Sequence, residues 1–166
     1  MRHTKAGLTC IVSILRDLNI PFEIDGGLAA EMYGTHRELA DIDINVPGDR
    51  FDEIVPHVKD YLHFGPAWYR DDHWEVYMMS MKFAGQNIDI DALGKMRFFD
   101  KDAALWRDIS EDLSDVRIMK YMDMELPFIN EMKLMIYKQE LARGVDRKDV
   151  AGMVDQLKTE WRQSDT

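Results

Sequence analysis

Two segments of this chain alternate acid and isoleucine: Ala40 to Val46 reads ADIDINV, and Asn87 to Leu93 reads NIDIDAL. Successive side chains of a strand point to opposite faces, so Asp41 and Asp43 share one face while Ala40, Ile42, Ile44 and Val46 share the other. Asp89 and Asp91 are separated from Ile88 and Ile90 in the same way. Such a chain is constrained to a sheet with one packed apolar face and one face bearing acids. Helical spacing supplies the covering layer, beginning with Leu8, Ile11, Val12, Leu15 and Leu18 in the stretch from Lys5 to Leu18. The class expected is α+β: a small mixed β-sheet flanked by helices, with a C-terminal helical pair.

The remaining elements follow from periodicity and punctuation. A short strand is expected around Phe22 to Ile24, broken by Gly26–Gly27, then a helix from Leu28 to Tyr33 ending at Gly34. Arg50 to Leu62 has roughly helical spacing, interrupted by Pro56, and Gly65 to Asp72 reads as a loop near the site. Trp74 to Lys82 and Asn87 to Ala92 form a hairpin about Gly85–Gln86. Ala103 to Leu113 is expected to be helical, Val116 to Met119 a last short strand, and Pro127 a break. Two helices close the chain, one carrying Met132, Leu134, Met135, Tyr137, Lys138 and Leu141 and ending near Gly144, the other running from Asp146 to Trp161. The 166 residues suit one domain, residues 1–166, with a core over about 5–126 and C-terminal helices over about 127–162.

Charge narrows the partners. With 21 Lys and Arg against 31 Asp and Glu, the formal net charge is −10, which opposes a broad nucleic-acid surface. A nucleotide is still admissible, since one metal ion and one or two basic side chains suffice for its phosphates. No apolar run approaches a membrane span and Met1 to Thr9 lacks a signal-peptide pattern, so a cytoplasmic, membrane-free protein is expected. The single cysteine, Cys10, reads as a buried spectator.

Two carboxylates two positions apart on a strand repel one another unless a cation lies between them. A hard divalent ion such as Mg²⁺ answers that, because it prefers carboxylate oxygens and keeps waters for exchange with phosphate. If the strands bearing Asp41, Asp43, Asp89 and Asp91 are neighbours with matched faces, three or four carboxylates converge. Gly26–Gly27, between strand and helix, lets the backbone turn tightly and come close to a phosphate, although a plain turn explains the pair equally well. Lys138 sits on an apolar stripe, where it either reaches nucleotide phosphates or extends its stem to put its charge in solvent. Arg147, Lys148 and Asp149 open the last helix, with Asp149 suited to a capping charge.

The segment GGLAAEMYGTHRELADIDINV, from Gly26 to Val46, resembles the signature of the polymerase-β-like nucleotidyltransferase superfamily: two glycines, a short helix, an arginine-bearing loop and a strand with Asp-x-Asp. NIDIDAL resembles the later strand that supplies a third carboxylate, and KLMIYKQELARGVDRKDVAGMVDQL resembles the family's C-terminal helices. The small antibiotic nucleotidyltransferases acting on aminoglycosides or lincosamides are the nearest in kind, with the toxin-type nucleotidyltransferases of abortive-infection and toxin–antitoxin systems. The matches span most of the chain, loosely over Phe51 to Phe83, and Leu28 stands where many polymerase-like members carry serine.

The resemblance implies metal-dependent transfer of a nucleoside monophosphate from a nucleoside triphosphate, ATP among the candidates, to a hydroxyl acceptor, with release of pyrophosphate. Asp41, Asp43 and Asp89 would hold two Mg²⁺ ions, and Asp89, with Asp91 as the alternative, would help deprotonate the acceptor. Gly26, Gly27, Arg37 and Lys138 would bind the nucleotide, with Lys148 a further candidate. So short a chain would complete its acceptor site from loops, from the C-terminal helices or from a second subunit in a homodimer. The rival readings are a non-catalytic interaction protein of the same fold, as in a toxin–antitoxin pair, and a metal-dependent phosphohydrolase.

Overall fold

The computed structural model describes residues 3–109 and 112–164. Helix α1 (Thr4–Asp17) leads into β1 (Glu23–Asp25), α2 (Gly26–Met32) and β2 (Asp41–Pro47). A broken helical stretch with α3 (Val55–Val58) at its centre precedes β3 (Leu62–Arg70), β4 (Trp74–Phe83), β5 (Gln86–Asp100) and β6 (Leu105–Asp108). Strands β7 (Val116–Tyr121) and β8 (Met124–Ile129) and helices α4 (Glu131–Leu141) and α5 (Gly144–Ser164) complete the chain.

The strands form one mixed sheet in the order β3-β4-β5-β2-β1-β8-β7, with β6 paired to the far end of β5. Pairings β2–β5 and β1–β8 are parallel and the others antiparallel. The sheet and its flanking helices are the α+β arrangement that the alternation demands. Ile42, Ile44, Ile88 and Ile90 are fully buried, in one core with Leu8, Ile11, Val12 and Leu15 of α1. Burying a side chain of this size contributes roughly 1.5–3 kcal/mol, so these two strands cannot slip by one residue without exposing the isoleucines and burying the acids. Their register is fixed accordingly, with Asp43 opposite Asp89.

Several expected elements differ. The loop expected over Gly65 to Asp72 is largely strand β3, whose pairing with β4 shifts register on either side of Phe64. Gly65 causes the misreading: its φ of +71° and a would-be Cβ only 2.3 Å from the Met78 carbonyl oxygen mark a bulge, not a chain break. The helix expected over Ala103 to Leu113 is absent from the described part of that segment; residues 110 and 111 lie outside it. Leu105–Asp108 instead pairs with Arg97–Asp100, and Trp106 packs on Phe99 with ring centroids 5.5 Å apart. Tertiary pairing there overrides a local preference for helix. Strand β7 is not the last strand, because β8 follows it through Pro127; β8 meets β1 at one register position, Ile24 with Phe128, so a missing N–H disturbs little. The helix expected over Arg50 to Leu62 is broken around Pro56 into short turns. No helix among the described residues is long and apolar enough to cross a membrane.

Candidate metal and nucleotide site

Register places the acids in rows across the sheet. Asp25 on β1 lies opposite Asp43 on β2, Asp43 opposite Asp89 on β5, and Asp89 opposite Ser80 on β4. The row below contains Glu23, Asn45, Asp91 and Met78. Carboxylate oxygens of Asp41, Asp43 and Asp89 all lie within 4.8 Å of one another, a spacing that fits a divalent ion held by oxygens. Asp91 is outside that group; its Oδ1 is buried without a hydrogen-bond partner among the described residues.

The electrostatics follow from the crowding. Burial, reinforced by Asp41, Asp25 and Asp89, pushes the Asp43 carboxyl up to about 8, with Lys138 opposing. Burial also raises Asp89, countered in part by a hydrogen bond from Ser80, and raises Asp91 strongly, with Asp43 and Asp89 adding to it. Asp25 is the acid the sequence reading passed over. It accepts from the Gly26 N–H at 2.6 Å, Tyr137 Oη at 2.8 Å and Asn45 Nδ2 at 3.1 Å. Burial and the nearby Asp25 hold the Tyr137 phenol well above its ordinary range, so it stays a donor. Its signal was present, an acid directly before the glycine pair, but Tyr137 lies 112 residues away.

The cavity, about 620 Å³, is lined by Gly26, Gly27, Arg37, Asp41, Asp43, Asp89, Asp91 and Lys138 of the sequence-derived candidates. Lys148 is not among the lining residues; it is exposed on a separate outer groove with His36 and Gln156. Gly26 has φ of +62°, and a Cβ there would stand 1.7 Å from Asp43 Oδ2. Gly27 faces Arg37, whose Nη2 would lie 2.7 Å from a Cβ at that position. Lys138 does not extend to solvent: it is 3% exposed, with Nζ 2.9 Å from Asp149 Oδ2 and 3.6 Å from Asp146 Oδ1. Nor does Asp149 cap a helix start, since α5 begins at Gly144 and the Asp149 carboxylate is buried against Arg37 and Lys138. Burial acts to raise the Asp149 carboxyl, but those two cations outweigh it and hold the group below the usual range. Among the aromatic side chains nearby, Tyr69 and Trp74 line the cavity beside Phe64 and Asp71, whereas Trp68 is 56% exposed outside it.

Metal affinity should depend steeply on pH. The folded chain keeps a proton on Asp43 to about pH 8, whereas the unfolded chain releases it near about 3.9. Folded protein then binds more protons than unfolded between those values, so metal-free stability falls as pH rises through that window. A divalent ion must displace the same proton. Mn²⁺ affinity is expected to climb by up to about tenfold per pH unit toward pH 8 and flatten above it. Titrations at pH 6, 7, 8 and 9 test this, and a flat profile would mean that Asp43 is already ionised at pH 6.

This architecture, a mixed sheet bearing acids on its central parallel pair with a C-terminal helical pair, is a nucleotidyltransferase-like α+β fold. A Thermotoga maritima protein classed provisionally as a nucleotidyltransferase superposes with TM-score 0.67 over 94% of this chain and 96% of its own, at 17% identity. The lincosamide antibiotic adenylyltransferase LnuA, solved with lincomycin bound, gives 0.60 over 92% and 96%, at 14% identity. ANT(2'')-Ia, solved in complex with adenylyl-2''-tobramycin, gives 0.58 over 98% and 94%, at 13% identity. At such identities the likeness establishes the fold and nothing finer. No protein-family model and no curated protein matches the chain.

Proposed function

We propose that this protein transfers a nucleoside monophosphate from a nucleoside triphosphate to a hydroxyl acceptor, with release of pyrophosphate. The observation that carries the reading is the convergence of Asp41, Asp43 and Asp89 in a cavity that Arg37 and Lys138 also line. Acids that can share a divalent ion, together with cations that can take phosphate oxygens, match the two needs of phosphoryl chemistry: positioning and charge compensation. ATP is the donor we favour, because both antibiotic-modifying structures of like fold are named for adenylyl chemistry.

Asp41, Asp43 and Asp89 would hold Mg²⁺, which when bound lowers the pKa of an attacking hydroxyl and offsets charge on the leaving pyrophosphate. Asp89, set between Asp43 and Ser80 in the row, would take the hydroxyl proton. Arg37 and Lys138 would hold the outer phosphates, and the lack of side chains at Gly26 and Gly27 gives Asp43 and Arg37 the room to stand where they would meet metal and phosphate. Phe64, Tyr69, Asp71 and Trp74 form the wall left for the acceptor.

Calorimetric titration with non-hydrolysable analogues of ATP, GTP, CTP and UTP, with and without Mg²⁺, tests the reading. Metal-dependent binding of at least one is expected, and the analogue that binds identifies the donor. Silence from all four with folded protein would favour the non-catalytic interaction protein.

A further inference from the structure

Asp149 lies outside the acid triad and is fully buried, yet the two site cations meet on it. One carboxylate oxygen accepts from Arg37 Nε at 2.7 Å; the other accepts from Arg37 Nη2 at 3.1 Å and Lys138 Nζ at 2.9 Å. These residues come from three separated stretches: the segment between α2 and β2, helix α4 and helix α5. The backbone beneath is tied as well, because Thr35 Oγ1, two residues before Arg37, donates to the Asp149 carbonyl at 2.9 Å.

A planar guanidinium held on both carboxylate oxygens has little freedom of orientation. Here that orientation carries Nη2 over Gly27. Lys138, at 3% exposure, has no room to extend into water. The pairing continues through Asp146 to Arg143, giving the series Arg37, Asp149, Lys138, Asp146, Arg143. Three cations against two anions leave a surplus positive charge at a cavity that the acid triad also lines.

We propose that Asp149 is a positioning residue that joins Arg37 and Lys138 into one preformed bracket for a polyphosphate chain; the identity of the ligand rests on the transfer reading above. Asp149 does not touch the polyphosphate. It fixes the spacing and direction of two long side chains that would otherwise have to be ordered on binding. Simple charge arithmetic predicts the reverse effect of its removal, since an anion lost beside two cations should strengthen attraction for phosphate. The sign of the change therefore separates the two accounts.

Inorganic tripolyphosphate with Mg²⁺ is the probe, titrated by calorimetry, and a separate titration with Mn²⁺ alone reports on the acid triad. Asp149→Asn is expected to weaken tripolyphosphate binding by about tenfold or more and to leave Mn²⁺ affinity within about twofold. In an Arg37→Gln background the same substitution should cost less, because part of its effect passes through Arg37. Arg37→Lys keeps the charge and loses the two-pronged contact at a side chain 26% exposed, so a similar weakening is expected there even if Asp149→Asn does not fold. Equal or tighter tripolyphosphate binding by folded Asp149→Asn, or strict additivity across the cycle, overturns the inference and leaves the transfer reading standing. A wild-type protein that ignores tripolyphosphate overturns both.

Discussion

Asp43→Asn is expected to stabilise the metal-free protein at pH 8 and, in the same molecule, to abolish Mg²⁺-dependent nucleotide binding. The two effects share one origin. Asp43 stands in a row between Asp25 and Asp89, and Asp41 adds to the repulsion that raises its carboxyl to about 8. An amide of the same shape removes that repulsion and the cost of withdrawing a charge from water, a gain on the order of a few kcal/mol at alkaline pH. It also removes one of the three carboxylates that can hold a metal, whose oxygens lie within 4.8 Å of one another. Metal-dependent steps commonly lose several kcal/mol of stabilisation on such a change, so any transfer activity should fall by about a thousandfold or more. Thermal unfolding in chelator and nucleotide calorimetry in Mg²⁺ measure the two sides. A lower melting temperature together with intact nucleotide binding would remove Asp43 from the site.

Gly26→Ala should be nearly as damaging, by a different route. Gly26 has φ of +62°, a conformation that costs an L-residue roughly 1–2 kcal/mol. The added methyl would also stand 1.7 Å from Asp43 Oδ2, so the Asp43 side chain must rotate away from Asp41 and Asp89. Mn²⁺ affinity is expected to drop by about tenfold or more. Gly94→Ala is the matched control: its φ is +82° and a Cβ there meets nothing within 4 Å. It carries a similar backbone cost without touching an acid. If both variants lose stability but only Gly26→Ala loses metal affinity, the contact with Asp43 is responsible; equal losses would assign the effect to general destabilisation.

The acid half of the site was legible in the sequence because its logic is local. Period-two alternation around Asp41, Asp43 and Asp89 reports which side chains share a face, and the buried isoleucines between them set the register that makes β2 and β5 neighbours. The basic half was only partly legible. Arg37 and Lys138 were singled out, but their partner Asp149 read as a capping charge, because nothing in its neighbourhood shows that α5 starts five residues earlier. Asp25 was missed because its significance lies in donors from β2 and α4. Elements misread in the middle of the chain fail for a related reason: Gly65, Pro127 and the stretch around Ala104 carry loop or helix signals locally, whereas the pairing that overrules them is with strands elsewhere.

The acids stand on strands β2 and β5, clasped by neighbours on either side, whereas Lys138, Asp146 and Asp149 ride on two helices at the end of the chain. The cleft thus has an anvil and a jaw. A bound polyphosphate would span the cleft from the helix-borne cations to the strand-borne acids and tie the two together. Occupancy should therefore be felt as slowed amide exchange along the two helices and hardly at all in the central strands, even though the acids proposed to hold the metal belong to the strands.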